Sequence, residues 1–468
     1  MIEHYSFAHM LGPTLVLLSL LIFWAHKHLQ HTLPLPPGPP SEFLLGHTRV
    51  IPKENAAEVY STWSKEYNSD IIHVRSLGRS TIVLHSAEIA KEILEKKGAN
   101  FCDRPRFTLL EVKFLQTSFS NTNVRQWHNL QRIEAHRTVK ALMARSDTWE
   151  RSLRRFAVAV VLQVSYGTEV PSDDDPYIRI ANDAMYATSN GGVPANSVVD
   201  LVPFGKGATY LAGVQRKLAN RLFPVRYLPD WLVNDWSLRF ARQWRWAITK
   251  LHDMPFAAAQ AERLLRLYEH NELHDKNQEW SLDDIKGAAG AVFIAGADTT
   301  WATCVIFILN MVLHPEIQKK AQDELDAVVG PGKLPEFSDR PSLPYIEHIV
   351  QEIYRTVVYA NAYAIGHDER VYKAPHDFNP DRYGAGEPYP VGNFGFGRRI
   401  CVGRFLADNS VWIMVATMLF TLHFRKKVAQ DGTPIEPRVR FTNGGTWSVN
   451  SSPQLVDPCS IWAPQSLT

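Results

Sequence analysis

Four cysteines in 468 residues are too few and too scattered for a disulfide framework. Cys102, Cys304, Cys401 and Cys459 stand far apart, and no close set of Cys and His offers the ligands of a structural zinc site. An excess of charge of one sign is lacking too. Fifty Lys and Arg against 48 Asp and Glu leave a formal net charge of +2, which gives no electrostatic footprint for nucleic acid. There is no internal repeat and no low-complexity tract. These absences leave a globular chain suited to a reducing compartment, 45% hydrophobic and 21% charged, with length for a large core.

A long apolar run stands at the front. Met10 to Ala25 carries no charge, and the stretch from Tyr5 to Ala25 has about the length a membrane-spanning helix needs. The segment before it holds Glu3 and no Lys or Arg, and no small-x-small cleavage site follows, which favours an anchor over a cleaved signal peptide. Lys27 after the span places the remainder on the cytosolic side. Residues 1–31 are therefore read as a single-pass anchor. Residues 32–40 contain Leu33-Pro34-Leu35-Pro36-Pro37-Gly38-Pro39-Pro40, a stiff extended spacer. Residues 41–468 read as one domain, mainly α with a small β region. Strands are expected around Ile71–Val74 and Thr81–Leu84. Helices are expected over Ala87–Lys97, Trp149–Tyr166 and Trp236–Leu267, with a kink or break at Pro255.

Near the C-terminus stands Phe394-Gly395-Phe396-Gly397-Arg398-Arg399-Ile400-Cys401-Val402-Gly403, followed by an apolar helical run from Phe405 to Leu422. A lone cysteine is commonly a small buried hydrophobe, and Cys102, Cys304 and Cys459 are read so. Cys401 differs because its surroundings suit a thiolate bound to haem iron. Glycines permit positive φ and close approach to a flat ring. Arg399 can neutralise a propionate. The helix opening near Gly403 turns free N–H groups and its positive end toward the sulfur.

A second constellation lies in a long buried helix expected from Ser281, capped through Asp284, to about His314, where Pro315 stops it. It contains Ala295-Gly296-Ala297-Asp298-Thr299-Thr300. Ala288, Val292, Ala295, Gly296, Thr299 and Thr303 share one face that is mostly small or hydroxyl-bearing. Such a face serves close helix packing, or it leaves room for a flat group and a small ligand. Asp298 inside an apolar helix is costly unless paired or functional. In the third, Glu352 and Arg355 share a helix face at i, i+3, an ordinary surface pair when taken alone. Phe378-Asn379-Pro380-Asp381-Arg382-Tyr383 follows.

Together these motifs resemble the cytochromes P-450, in particular fungal membrane-bound members of secondary metabolism. Phe-x-x-Gly-x-Arg-x-Cys-x-Gly is matched at every fixed position. The resemblance implies the P-450 fold behind an N-terminal transmembrane helix and a proline hinge. It implies haem b with Cys401 as axial ligand, and Phe394, Gly397, Arg399, Gly403, Ala295 and Gly296 around the cofactor. Asp298 and Thr299 take the positions of the acid–alcohol pair that guides protons. Glu352, Arg355 and Arg382 take those of a buried charge triad. The implied reaction is insertion of one oxygen atom of O2 into an apolar small molecule. Electrons would come from NADPH through a cytochrome P-450 reductase at the endoplasmic reticulum membrane. Arg398, Arg404, Arg425, Lys426 and Lys427 would form the docking face, or an ordinary solvated surface. Two other readings stand beside it: a haem-thiolate isomerase or dehydratase, and a non-catalytic or impaired variant. The last is prompted by two departures. The family carries a long segment between Arg355 and Asn361, with a β-hairpin and a basic propionate contact, that this chain lacks. Near Glu111 to Phe119 a helix with Trp-x-x-x-Arg is missing. Trp127 is followed four places later by Gln131, with Arg132 one step out of register, so Trp127 is assigned to the following helix and Arg132 or a nearby histidine would have to serve the second propionate.

Overall fold

A computed structural model describes residues 19, 34–42, 45–52, 56–76, 79–101, 119–190, 236–261, 282–356, 362–437 and 459–462. The proposed anchor apart from residue 19, the Glu111–Phe119 departure up to residue 118, and the link at 357–361 fall outside them.

The fold is mainly helical with two small sheets. After α1 (Ala56–Glu66), β1 (Ile71–Ser76) and β2 (Arg79–Leu84) pair antiparallel, with Ile72 opposite Val83 and Val74 opposite Thr81. Alternation puts Ile72, Val74 and Val83 into a small core beneath the hairpin. The proline segment is extended but it is not a free spacer. Pro37 accepts from the His73 amide, Pro39 accepts from His47 Nε2, and a Cβ on Gly38 would meet the His73 carbonyl at 2.1 Å. Its second half is laid along the front of the domain.

The helix expected over Ala87–Lys97 divides into α2 (Ala87–Lys91), capped by the Ser86 hydroxyl, and a π turn at Glu92–Lys96. Next come α3 (His128–Ala144) and α4 (Trp149–Tyr166). Trp127 ends a 3-10 turn and stands at the N-cap of α3 rather than inside it. Gly167, at φ +71, closes α4, a left-handed position that suits glycine. Asp175 and Pro176 open α5 (Pro176–Ser189), the acid accepting the Tyr177 amide and the proline taking a position whose N–H has no helical partner. The next helix, α6 (Trp236–Ala261), runs through Pro255 instead of breaking there.

The central helix α7 (Leu282–Leu313) is apolar on nearly all sides. Its stretch Ile285–Leu313 is long and apolar enough to cross a membrane, yet 72% of its most apolar window is buried inside the protein, as suits a core helix. The expected capping residue Ser281 lies outside the described residues. Pro315 ends α7 by opening α8 (Pro315–Val328). Then follow α9 (Pro344–Thr356), α10 (Ala362–Gly366) and α11 (Arg404–Thr421), with β3 (His423–Lys426) paired to β4 (Cys459–Trp462). α4, α7, α9 and α11 bury Phe156, Phe307, Ile349 and Trp412 in one shared core.

Candidate active site

The cysteine loop is built by backbone geometry. Gly395 (φ +79) and Gly397 (φ +56) hold left-handed conformations. At Gly397 the close approach is to protein: a Cβ there would lie 2.0 Å from the Leu94 carbonyl in the π turn. The Phe394 carbonyl accepts the Cys401 amide at 2.7 Å and closes the loop. Gly403 caps α11, and the Gly403 and Arg404 amides bond to the Cys401 sulfur. Desolvation by the surrounding loop pushes this thiol up even though the residue reaches the surface, while those two amides and the Arg404 charge oppose the shift. Cys401 is exposed, in contrast to Cys304, which sits wholly in the core. Arg399 and Phe394 are half-buried beside it. A single thiol held by helix N-terminal amides is a donor set that fits a thiolate-ligated haem iron.

α7 supplies an open strip. Ala295 is exposed, and Ala288, Val292 and Thr299 are half-buried, on a helix that is buried without interruption from Thr300 to Val312. Thr299 Oγ1 donates to the Ala295 carbonyl at 2.8 Å. The strip closes at Thr303, which is buried and donates to the Thr299 carbonyl. Gly296 does not belong to it in the expected way. A Cβ there would meet Val161 Cγ1 of α4 at 2.3 Å, so this glycine serves the tight crossing of α4 and α7. Asp298 is buried too, with its carboxylate 3.7 Å from Arg154 Nη1 on α4. Arg154 was not singled out by the sequence. Its one signal is a charge just ahead of an apolar helical run. Its neighbour Arg155 has a different task, joining Glu134 at 2.7 Å and Asp173 at 3.3 Å in a buried cluster.

The charge triad assembles. Glu352 receives Arg355 Nη2 at 2.5 Å and Arg382 Nε at 3.3 Å, and all three side chains are buried. The Asn379 amide and the Tyr383 hydroxyl complete the carboxylate at 3.0 and 2.7 Å. Burial works against the charge of Arg382, but its bonds to Glu387 and Glu352 hold its pKa above the ordinary arginine value. Arg355 reaches the carbonyls of Gly366, Pro375 and Asp377, so the triad ties α9 to the segment that follows α10.

Other expectations are placed differently. Arg132 Nη2 is turned to Asn129 on its own helix. His128 stacks on Phe337 with centroids 3.9 Å apart and accepts from Asn409. Gln131 is fully buried and donates to the Leu406 carbonyl and Ser410, fastening α3 to α11. Of the five cations in the expected docking face, Lys426 is paired with Glu436, and Arg404 folds back to the Cys401 carbonyl and the Phe405 ring.

The family model described as Cytochrome P450 matches residues 36–160, 200–357 and 355–444. Its last break falls directly after Arg355, whereas the match runs unbroken through 111–119. Cytochrome P450 monooxygenase 98 of Postia placenta is 32% identical over 88% of this chain and 88% of its own length. That alignment spans 479 residues, more than the chain's own 468, and so leaves gaps in this chain where the relative has residues. Cytochrome P450 monooxygenase claT of Ampulloclitocybe clavipes is 31% identical over 92% of each chain. A tryptamine 4-monooxygenase of Psilocybe cyanescens is 27% identical over 92% of this chain and 94% of its own.

Proposed function

Because this chain belongs to the cytochrome P450 family, we propose that it is a membrane-anchored haem-thiolate monooxygenase. It inserts one oxygen atom of O2 into an apolar organic molecule, with electrons passed from NADPH by a separate cytochrome P-450 reductase. The observation that carries this reading is Cys401, exposed at the start of α11 with the Gly403 and Arg404 amides on its sulfur. Family membership implies a haem iron. Bound haem supplies activation of O2 at a thiolate-ligated metal.

The chain's own residues prepare that site. Cys401 would hold the haem iron through its sulfur, and the amides around it favour the anion. Arg399 would pair with a haem propionate, while Phe394, Gly397 and Gly403 shape the loop. Ala295 and Thr299 keep one strip of α7 low and open. Thr299 commits its own proton to the Ala295 carbonyl, so its oxygen accepts hydrogen bonds on the open side. Asp298 stores charge one residue away, held by Arg154. Residues 1–31 anchor the domain at the endoplasmic reticulum membrane, and exposed Arg398 with Arg425 and Lys427 meet the reductase.

The test is turnover of the full chain with haem, reductase and NADPH under labelled O2. Label in the product that depends on NADPH supports the reading. Product formed without NADPH indicates an isomerase or dehydratase. The break after Arg355 favours a second reading, an impaired variant, and full-length chain that takes up no haem would establish it.

A further inference from the structure

We propose that Tyr354 is a positioning residue that holds both ends of the Cys401 loop. The inference rests on the haem-thiolate reading above. Tyr354 lies on α9 between the two triad members Glu352 and Arg355, yet its side chain goes elsewhere. Its ring meets Phe394 edge-on with centroids 5.3 Å apart. Phe394 is the residue whose carbonyl takes the Cys401 amide. The Tyr354 hydroxyl donates to Asp408 Oδ1 at 3.2 Å. Asp408 belongs to α11, the helix whose opening amides reach the sulfur. One rigid side chain, 6% exposed, thus spans from the entry of the loop to the helix that ends it.

Asp408 is itself held in place. Arg340 donates to Asp408 Oδ2 at 2.7 Å, to Glu347 at 2.9 Å and to Asn409 at 3.2 Å. Its guanidinium lies 5.4 Å from the Trp412 ring centroid. α9 and α11 are therefore clamped twice, once by Arg340 and once by Tyr354. Only the second clamp also touches the loop. Burial raises the Tyr354 hydroxyl well above its ordinary pKa, so it remains a donor to Asp408. The consequence is a chain of contacts. The triad fixes α9, α9 fixes Tyr354, and Tyr354 fixes the distance between Phe394 and the α11 amides. A thiolate loop set in this way keeps its amide hydrogen bonds on the sulfur.

Three variants test it. Tyr354→Phe keeps the ring and removes the hydroxyl, Tyr354→Leu removes both, and Asp408→Asn weakens the acceptor. The first readout is amide hydrogen exchange in the full chain without added haem. Tyr354→Phe should speed exchange over residues 394–404 by about fivefold while leaving α5 unchanged, the mark of local opening. The second is the lifetime of the thiolate-type Soret band in the reduced carbon monoxide complex of haem-loaded protein, which should shorten in the same order. Asp408→Asn also weakens the Arg340 pair, so the double variant Tyr354→Phe/Asp408→Asn should be little worse than Asp408→Asn alone and fall short of the sum of the two single effects. Unchanged exchange over 394–404 would overturn the proposal, as would a rise that is equal throughout the chain. A parent chain that never shows a thiolate band would count against the haem-thiolate reading, while the exchange experiment would still decide the role of Tyr354.

Discussion

The Asp298 carboxylate lies 3.7 Å from the Arg154 guanidinium, and that guanidinium stacks over Trp301 at 3.5 Å from the ring centroid. An acid in an apolar helix is tolerated here because a second helix brings it a cation and an aromatic platform. Burial lowers the Arg154 pKa, and Asp298 opposes that shift. Removing Arg154 takes a nearby cation from a buried acid. Arg154→Ala should cost about 3 kcal/mol in urea unfolding. Arg154→Ala/Asp298→Asn should recover part of that loss. Equal losses in the single and double variants would show that the pair contributes nothing.

Thr299→Ala removes the hydroxyl from the open strip of α7 and leaves Ala295 in place. Haem content and substrate binding should persist. The ratio of product to NADPH consumed should fall, by about tenfold or more, with peroxide taking up the difference. Coupling equal to the parent's would sink the assignment of Thr299.

Cys401→His places a nitrogen where the helix amides favour an anion. The reduced carbon monoxide complex should lose the red-shifted Soret band of thiolate ligation. The same band in the variant would exclude Cys401 as the ligand.

His85 is buried, and among the described residues neither of its ring nitrogens has a hydrogen-bond partner. Burial lowers its pKa to about 4, with Asp70 opposing. The unfolded chain then takes up a proton more readily than the folded one. Stability is independent of this group above about pH 6.5 and is lost as pH falls toward 4, by roughly 3 kcal/mol in all. His85→Leu should flatten that part of the stability-against-pH curve. An unaltered slope would show that His85 titrates normally.

The hairpin and helix rich in periodicity, β1–β2 and α4, were legible because their apolar residues repeat at the strand and helix periods. The triad was legible because Glu352 and Arg355 lie one turn apart and Arg382 stands in a distinctive Phe-Asn-Pro-Asp-Arg run. Arg154, Arg340 and Tyr354 were not. Each acts across a gap between helices that no local pattern encodes. The packing of Gly296 was not legible for the same reason, since the sequence shows a missing side chain but not the Val161 methyl group that lies against it. The break in Pro255's helix did not occur, as tertiary packing outweighs a single unfavourable residue.

The family match breaks at 355–357, and the Gly366 carbonyl lies 3.2 Å from Arg355 Nη1. The chain therefore passes from α9 to α10 by a short route. A version carrying the intervening segment from a relative should hold more haem per chain, several-fold more where the second propionate otherwise lacks a partner. The measurement is haem stoichiometry of the two purified proteins. Full stoichiometry in the original chain would show that other residues have taken over that contact.

Gly397 seats the thiolate loop on the Leu94 carbonyl, a contact between parts of the chain roughly three hundred residues apart. That contact cannot form until residue 397 has been made. During synthesis the front of the domain must wait, with its π turn uncovered, until nearly the whole polypeptide has left the ribosome. A chain truncated before residue 397 would keep the Leu94 carbonyl but lack the loop that packs on it.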